Sequence, residues 1–352
     1  MPASRPHAEL TWSPIEGRIA LVAPASAIAE EVLEATLRQL EVQGIDHHLG
    51  EHADARYRYL AGTPEQRLED FHAAFEREDV SAVWCLRGGY GCGQLIPQLD
   101  WQRIKAASPR PLIGFSDISI LLSAFHRQGL PAIHGMVATG LGLQPLSAPS
   151  EQRERLASLA SISHVLAGGP GKLAAQHLAG PKAAVEGELI GGNLTALACM
   201  AGTAGALYVP DGAILILEDV GEPYYRLERS LWQLLNSLDG ARLGAICLGT
   251  FTDCRARAWL TAWKKSSPNT PRSWACRSTT AYPAATARTT APGPMGGGRF
   301  WEASPCAGIR VCLRSRELEQ NKARAAEKAE LTVVNEHFSA GLNAVMPTRS
   351  RS

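Results

Sequence analysis

The chain has 352 residues, of which 45% are apolar, and its formal net charge is +1. That length allows two domains with sizeable cores, and the balanced charge excludes a global electrostatic field that would attract nucleic acid or an acidic partner. The first apolar run, residues 19–25, is too short for a signal-peptide core or a membrane span, so we expect a cytoplasmic protein without a membrane partner.

Short apolar strands alternate with amphipathic helices through residues 18–135. The helical segments carry apolar stripes at a spacing of three and four residues, and Thr63 with Gln66 matches a capping box. This alternation predicts a parallel sheet with helices on both faces and sites at the carboxyl ends of its strands. The predicted strands are residues 18–24, 81–86, 112–113 and 132–133. The stripes are Leu33, Leu37 and Leu40; Leu68, Phe71 and Phe75; and Ile118, Leu121, Leu122 and Phe125.

Ser116 lies at the corner between the third of these strands and the helix that follows it. Gly114 allows a tight turn there, and a serine on such a corner holds its hydroxyl out of the fold, as a nucleophile elbow does. Backbone N–H groups at the start of the helix would favour a developing negative charge nearby. The alternative is that Ser116 caps the helix, and the local pattern alone favours the cap because serine caps are common.

A glycine-rich loop, residues 87–93, follows the strand that ends at Leu86. Its N–H groups could cradle a phosphate, form half of an oxyanion hole, or simply make a turn. The loop lacks the Walker lysine and the Rossmann glycine spacing, which makes the nucleotide interpretation weak. His134, just past another strand, is interpreted as a satisfied core or loop histidine.

The eight cysteines contain no Cys-x-x-Cys pair, and no histidines lie at zinc spacing. We therefore interpret them as free thiols and expect no metal and no cofactor. The alternative to a free, unreactive thiol is that Cys92, within the glycine-rich loop, is a nucleophile.

A second domain is predicted to begin near residue 185, after a linker that contains an irregular helix over residues 151–166. It opens with a strand, a glycine turn and a helix, followed by an apolar strand that ends at Glu218. Glu218 is a candidate for the acid that orients a catalytic histidine. Its alternatives are a solvated strand end or an ion pair with Arg226 or Arg229. Asp219 and Glu222 are competing carboxylates. The next helix has Leu227, Leu231, Leu234, Leu235 and Leu238 on one face, and residues 245–249 form another strand.

The composition changes after residue 253. Residues 254–301 contain no Asp or Glu but eight Lys or Arg and four of the eight Trp residues. A basic disordered arm for nucleic acid is one interpretation, but such arms rarely hold so many Trp and Cys residues. We favour the hypothesis that this stretch is a shifted reading frame of a GC-rich gene. Residues 317–336 are charged and helix-like, in a tail of residues 317–352.

Five motifs in register resemble the LD-carboxypeptidases, serine peptidases of murein recycling whose relatives include microcin C self-immunity peptidases. The resemblance runs from about residue 18 to residue 253. The motifs are LRGGYG from residue 86, IGFSDIS from 113, IHGM from 133, GELIGGNL from 187 and LEDVGEPY from 217, the last accompanied by Arg229.

The resemblance implies an α/β fold with a flavodoxin-like N-terminal domain and a smaller, swivelling β-rich C-terminal domain. The domains would span residues 1–145 and 185–316, joined by a linker of residues 146–184, with residues 254–316 atypical. It also implies a homodimer without metal that acts on a muropeptide or other small peptide. Its site would be a Ser–His–Glu triad with Ser116 as nucleophile, Glu218 as acid, and an oxyanion hole built from backbone N–H groups of Asp117 and of Gly88 or Gly89.

The chain departs from the family at the triad histidine. The loop that should hold it falls near residues 281–290, which contain no histidine, and His337 is the only histidine after Glu218. The resemblance implies a peptidase that hydrolyses the terminal D-alanine amide of murein tetrapeptides, and the absent histidine predicts that it is impaired. Two alternatives stay open, namely a non-catalytic muropeptide-binding protein and a nucleotide-binding protein that uses the loop at Arg87.

Overall fold

The structure is a computed structural model that describes residues 17–106, 109–142, 149–169, 172–176, 178, 184–238, 243–254, 310–315 and 328–334. Two parts of the sequence that bear on the triad histidine, residues 281–290 and His337, lie outside these ranges. Most of the stretch without Asp or Glu, residues 255–301, also lies outside them. No helix within the described ranges has the length and apolarity needed to cross a membrane.

The first domain contains a five-stranded parallel sheet in the order β2-β1-β3-β4-β5. This is the flavodoxin-like order, and it confirms the predicted fold class. The strands are β1 Arg18–Val22, β2 His47–Leu49, β3 Val80–Cys85, β4 Leu112–Gly114 and β5 Ala132–His134. The helices are α1 Glu30–Val42, α2 Pro64–Glu76, α3 Cys92–Leu95, α4 Trp101–Ala106 and α5 Ser119–Arg127, with 3₁₀ turns at Ile96–Gln98, Ser116–Ile118 and Ala138–Gly140.

Apolar cores cover both faces of this sheet, as a parallel sheet requires. One face packs on Phe71, Phe75 and Phe125, whose ring centroids lie 5.2–5.9 Å apart. The other face contains Trp84 and Leu40. The three predicted helix stripes all lie in these cores, so the sequence periodicity placed the buried faces correctly.

The predicted start of α2 is confirmed atom by atom. The Thr63 hydroxyl accepts from the Gln66 N–H, and the Gln66 side chain accepts from the Thr63 N–H, with Pro64 in the first turn. The two residues satisfy N–H groups that the first turn of a helix otherwise leaves unpaired.

A long helix occupies much of the predicted linker. It is α6, Pro149–Leu166, close to the predicted helix over residues 151–166. Its residues Leu159, Ile162 and Val165 join the core of the first domain. This part of the chain therefore packs with the first sheet, while the domain boundaries themselves stay a prediction.

The second domain contains a smaller parallel sheet in the order β7-β8-β9. The predicted glycine turn is part of its first strand, where Gly191 and Gly192 have φ of +121° and +135°. A side chain on Gly191 would overlap the Ile216 carbonyl oxygen, so only glycine fits against the neighbouring strand. The elements are β7 Leu189–Asn193, α7 Leu194–Cys199, β8 Ile214–Val220, α8 Tyr224–Ser237 and β9 Ala245–Thr252. The predicted leucine face of α8 packs in the core of this domain.

A third, antiparallel sheet has the order β10-β11-β6, with β6 Lys172–Gln176, β10 Arg310–Ser315 and β11 Lys328–Val334. The prediction of a helix-like segment over residues 317–336 is wrong at β11. The physical reason is visible in the sequence, since Ala329, Leu331 and Val333 alternate with more polar residues and the strand ends in β-branched residues.

Candidate active site

Three neighbouring strands of the first sheet deliver the predicted site residues to one edge. β3 ends before the glycine-rich loop, β4 ends before Ser116, and β5 ends at His134. Because the strands are parallel, their carboxyl ends meet at the same edge of the sheet, where sites of such folds form. Residues from the second domain approach this edge through β7 and β8.

Ser116 adopts a strained backbone conformation at the corner. Its φ is +63°, in the left-handed region that L-residues other than glycine rarely occupy, and its side chain is partly exposed. The helix that follows begins at Ser119, and its N-cap position, Ile118, makes no side-chain capping bond. The cap interpretation, which the local pattern favoured, is therefore not what Ser116 does, and the geometry is that of a nucleophile elbow.

Gly88 packs directly on this corner. A Cβ at Gly88 would lie 2.9 Å from the Phe115 carbonyl oxygen, 2.9 Å from Ser116 Cβ and 3.3 Å from the Asp117 nitrogen. Within the described part of the chain, the N–H groups of Gly88 and Gly89 donate no recorded hydrogen bond. Free N–H groups beside a presented hydroxyl are what an oxyanion hole needs. Gly88 is the nearer of the two glycines, since Gly89 faces Ser26 instead.

The Asp117 carboxylate ties the glycine-rich loop to the corner. Its Oδ2 accepts from the Cys92 N–H at 2.8 Å. Burial raises the pKa of Asp117, although the bonds from Cys92 and the charge of Arg67 act in the opposite direction. The buried Arg67 guanidinium donates to the carbonyls of Gly91 at 3.2 Å and Pro24 at 2.8 Å. These contacts hold the loop rigidly against Ser116.

The structure weakens two alternative interpretations of this loop, a nucleophilic Cys92 and a nucleotide site that uses Arg87. The Cys92 thiol is fully buried, and burial raises its pKa well above the ordinary value, so it is not a thiolate nucleophile. Arg87 donates from its guanidinium to the Ala27 carbonyl at 2.6 Å, which fastens the loop to the segment after β1.

Glu218 lies near the end of β8, paired in register with Asn193 of β7. Burial first, and the neighbouring Asp219 second, raise its pKa to about 8, against the opposite effect of a hydrogen bond from the Asn193 side chain. The predicted competing partners are engaged elsewhere: Arg226 pairs with Glu222 at 3.4 Å, and Arg229 lies over the Tyr225 ring.

Asp219 has a structural task. Its carboxylate accepts from the Asn193 side-chain amide at 3.1 Å, from the Thr195 hydroxyl at 2.7 Å and from the Thr195 N–H at 3.0 Å. These bonds fix the start of α7 against β8. Asp219 is thus fully occupied, which leaves Glu218 as the buried acid with a free oxygen.

His134 is the histidine whose approach to Glu218 the sequence did not predict, although the sequence placed it near the site of the first domain. Its Nε2 lies 4.0 Å from Glu218 Oε1, and its ring packs edge-on against Phe115, with centroids 5.2 Å apart. Burial lowers its pKa to about 4. Among the described residues, neither His134 Nδ1 nor Glu218 Oε1 has a hydrogen-bond partner. The prediction of a satisfied histidine is therefore wrong, although it is a core histidine. The available signal was its position at the end of the strand next to β4.

Direct bonds join the two domains beside this pair. The Ser119 hydroxyl accepts from the Asn193 N–H at 2.9 Å, and the His126 ring and the Glu188 carboxylate are hydrogen-bonded at 2.8 Å. The β7–β8 ends therefore sit over the first turn of α5. A small cavity beneath this contact is lined in part by His126 and His134 and does not reach Ser116. No group of three or more His, Cys, Asp or Glu residues that could hold a metal ion occurs among the described residues.

Comparison with known proteins decides the family. The chain is 75% identical over 251 residues to the murein tetrapeptide carboxypeptidase of Pseudomonas aeruginosa, a match that covers 71% of this chain and 82% of that protein. The chain belongs to the LD-carboxypeptidase family. Models of the LD-carboxypeptidase N-terminal and C-terminal domains match residues 19–135 and 186–275. The second match extends beyond residue 253, where the composition changes.

More distant relatives agree with this assignment. A putative carboxypeptidase of Streptomyces coelicolor is 37% identical over 248 residues, covering 67% of this chain and 76% of that protein. The crystal structure of muramoyltetrapeptide carboxypeptidase from Oxalobacter formigenes matches with a TM-score of 0.64 at 22% identity, over 90% of this chain and 98% of that chain. A complex of the microcin C7 self-immunity protein with glutamyl sulfamoyl guanosine matches with a TM-score of 0.57 at 20% identity, over 70% of this chain and 81% of that chain. The two structures share the fold of this chain.

Proposed function

We propose that this chain is a serine peptidase of the LD-carboxypeptidase type that hydrolyses the amide of the terminal D-alanine in murein tetrapeptides. The observation that carries the proposal is the strained Ser116 corner packed against Gly88, in a chain 75% identical over 251 residues to a murein tetrapeptide carboxypeptidase. A strained serine beside unpaired N–H groups is an arrangement suited to acyl transfer.

In the family's reaction, with a triad histidine present, each proposed site residue would have one step. The Ser116 hydroxyl attacks the carbonyl carbon of the scissile amide, and its proton passes to a histidine base. The N–H groups of Asp117 and of Gly88 or Gly89 stabilise the oxyanion. The base then protonates the leaving D-alanine amine, and water hydrolyses the acyl-enzyme. Glu218 holds the histidine in the tautomer that accepts the serine proton.

We further propose that turnover is impaired in this chain, because the family's triad histidine has no counterpart in residues 281–290. Loss of the base leaves only substrate binding and the oxyanion hole, and costs on the order of 10⁴ to 10⁶ in turnover.

The test is an assay of D-alanine release from a murein tetrapeptide, run in parallel with the Pseudomonas aeruginosa relative. We expect release at least about 10⁴-fold slower than that of the relative. Release at a comparable rate would contradict the impairment. Activity that survives in Ser116→Ala would contradict the assignment of the nucleophile.

A non-catalytic muropeptide-binding protein is the second candidate. It is favoured by the coexistence of an intact Ser116 corner with a sequence that lacks the expected histidine. Calorimetric titration with a murein tetrapeptide and, separately, with ATP distinguishes the candidates. Tight tetrapeptide binding without hydrolysis supports this second function, whereas binding of ATP alone would favour the nucleotide-binding alternative.

We propose a cytoplasmic homodimer without nucleic-acid or membrane partners, in line with the family resemblance. Light scattering coupled to gel filtration tests the dimer directly, and a monomer at micromolar concentration would contradict it.

A further inference from the structure

His134 and Glu218 face each other across the contact between the two domains. His134 is the last residue of β5 and pairs in register with Gly114, two residues before Ser116. Glu218 comes from β8 in the second domain. The pair therefore links the strand beside the nucleophile corner to the strand that carries the proposed acid.

Both side chains are enclosed. His134 is 4% exposed and Glu218 is 7% exposed, so both groups are shielded from bulk water. The separation of Nε2 and Oε1, 4.0 Å, exceeds a hydrogen bond, yet it is too short for a water molecule to sit between them. Glu218 Oε1 is buried without a hydrogen-bond partner among the described residues, which is costly, and a donor at the facing Nε2 would relieve that cost.

The surroundings of the ring determine which nitrogen can find a partner. A Cβ at Gly192 would lie 3.2 Å from His134 Nδ1, so the β7 backbone closes off that side of the ring. Phe115 packs on the ring edge-on. The remaining direction, toward Glu218, is the one in which Nε2 points.

We propose that His134 is a positioning residue for Glu218, and that its Nε2–H holds the Glu218 carboxylate when that carboxyl ionises. A movement of about 1 Å closes the present gap to hydrogen-bond distance. The other oxygen of Glu218, which accepts from the Asn193 side chain, then keeps its remaining lone pair for a catalytic histidine. In this respect the inference rests on the proposed function, in which Glu218 is the triad acid.

The groups that face Glu218 from each neighbouring element decide how its carboxyl titrates. The charged group that acts on Glu218 from its own strand is Asp219, which raises its pKa. β7 contributes the uncharged amide of Asn193, α5 contributes the uncharged hydroxyl of Ser119, and β5 contributes His134 itself. Burial holds the His134 pKa near 4, so the ring is uncharged at neutral pH.

The experiment follows the carboxyl carbon resonance of Glu218 in the full chain as pH changes, with the signal assigned by its loss in Glu218→Gln. In His134→Leu the ionised carboxylate loses its donor, and we expect the midpoint to rise by about one pH unit or more. His134→Gln keeps an N–H donor and should return the midpoint toward the wild-type value. His126→Leu, which breaks the pair with Glu188 on the same domain contact, is the matched control and should leave the midpoint unchanged.

An unchanged or lowered midpoint in His134→Leu would overturn the proposal, as would a midpoint in His134→Gln as high as in His134→Leu. If His134→Leu does not fold, the nitrogen-15 spectrum of the wild-type histidines decides. A proton on Nε2 of His134 above the Glu218 midpoint supports the proposal, and a proton on Nδ1 overturns it. Neither measurement depends on peptide hydrolysis, so failure of the proposed function and failure of this inference remain distinguishable.

Discussion

The two parallel sheets differ in how completely they are enclosed. In the first sheet, β3, β4 and β5 are buried at every position except Ser81. In the second sheet, β9 leaves Ile246 38% exposed and Leu248 46% exposed. The Ser116 corner thus stands on the enclosed sheet, while the proposed acid comes from the more open one. Ser116 contacts the glycine-rich loop of its own domain, whereas Glu218 lies opposite His134 across the contact between the domains.

The largest expected effect comes from completing the more open domain. We expect a chimera that carries the C-terminal segment of the Pseudomonas aeruginosa relative after residue 253 to gain on the order of 10⁴ to 10⁶ in D-alanine release. The reason is that this segment would supply the missing base to an otherwise prepared site. Ser116→Ala in the chimera is the control and should abolish the gain.

A chimera as slow as the parent chain would show that the fault lies before residue 254 instead. The encoding DNA gives an independent check. If neither of its other two frames after codon 253 yields a continuous apolar-periodic sequence, the reading-frame hypothesis is wrong.

The free-energy cost of burying the ionised Glu218 carboxylate at the domain contact should appear in the pH dependence of the free energy of unfolding. Glu218 has a folded-state pKa of about 8 against an ordinary value of 4.5. The folded protein therefore keeps a proton that the unfolded chain releases, and stability falls as pH rises from about 4.5 to 8. Glu218→Gln has no proton to release at this position and should not show this fall. The difference in free energy of unfolding between Glu218→Gln and wild type should therefore increase by roughly 3–5 kcal/mol as pH rises through that window.

Urea unfolding at pH 5 and at pH 8.5 measures this difference. Glu222→Gln, a change in the partly exposed carboxylate that pairs with Arg226, is the control and should follow the wild-type profile. Parallel profiles for wild type and Glu218→Gln would show that Glu218 is solvated in solution.

Packing at the enclosed corner gives the next effect. Gly88→Ala places a Cβ 2.9 Å from a backbone oxygen that cannot move freely, so we expect a loss of about 2 kcal/mol in the free energy of unfolding. Gly140→Ala is the matched control, since its nearest neighbour would be the flexible Met136 side chain at 3.5 Å. Equal effects of the two substitutions in thermal unfolding would contradict the close approach of Gly88 to Ser116.

The smallest expected effect concerns backbone strain at Ser116. Ser116 has a φ of +63°, which glycine adopts without strain and alanine does not. Ser116→Gly should therefore be more stable than Ser116→Ala by about 1 kcal/mol. The same pair of changes at Ser123, inside α5, should have the opposite sign, because glycine weakens a helix. The same sign at both sites would mean that the corner is relaxed in solution.

Periodicity in the sequence predicted four of the five strands of the first sheet, but not β2, His47–Leu49. The helix stripes, the capping box of α2 and the strands before the glycine loop and Ser116 are all confirmed, because each depends on residues close together in the chain. The role of Ser116 could be weighed only with its family motif, since a local pattern cannot distinguish a cap from a strained corner. The strand β11 was mistaken for a helix, because its charged neighbours concealed a short alternation.

The sequence by itself determined the fold class, the family resemblance and the corner that presents Ser116. Only the tertiary structure decided that His134 faces Glu218, that Asp219 is occupied by Asn193 and Thr195, and that Gly88 rather than Gly89 abuts the corner. The physical reason is distance along the chain. Hydrophobic periods and caps act over a few residues, whereas the partner of a buried polar group is chosen by which strands the fold brings together.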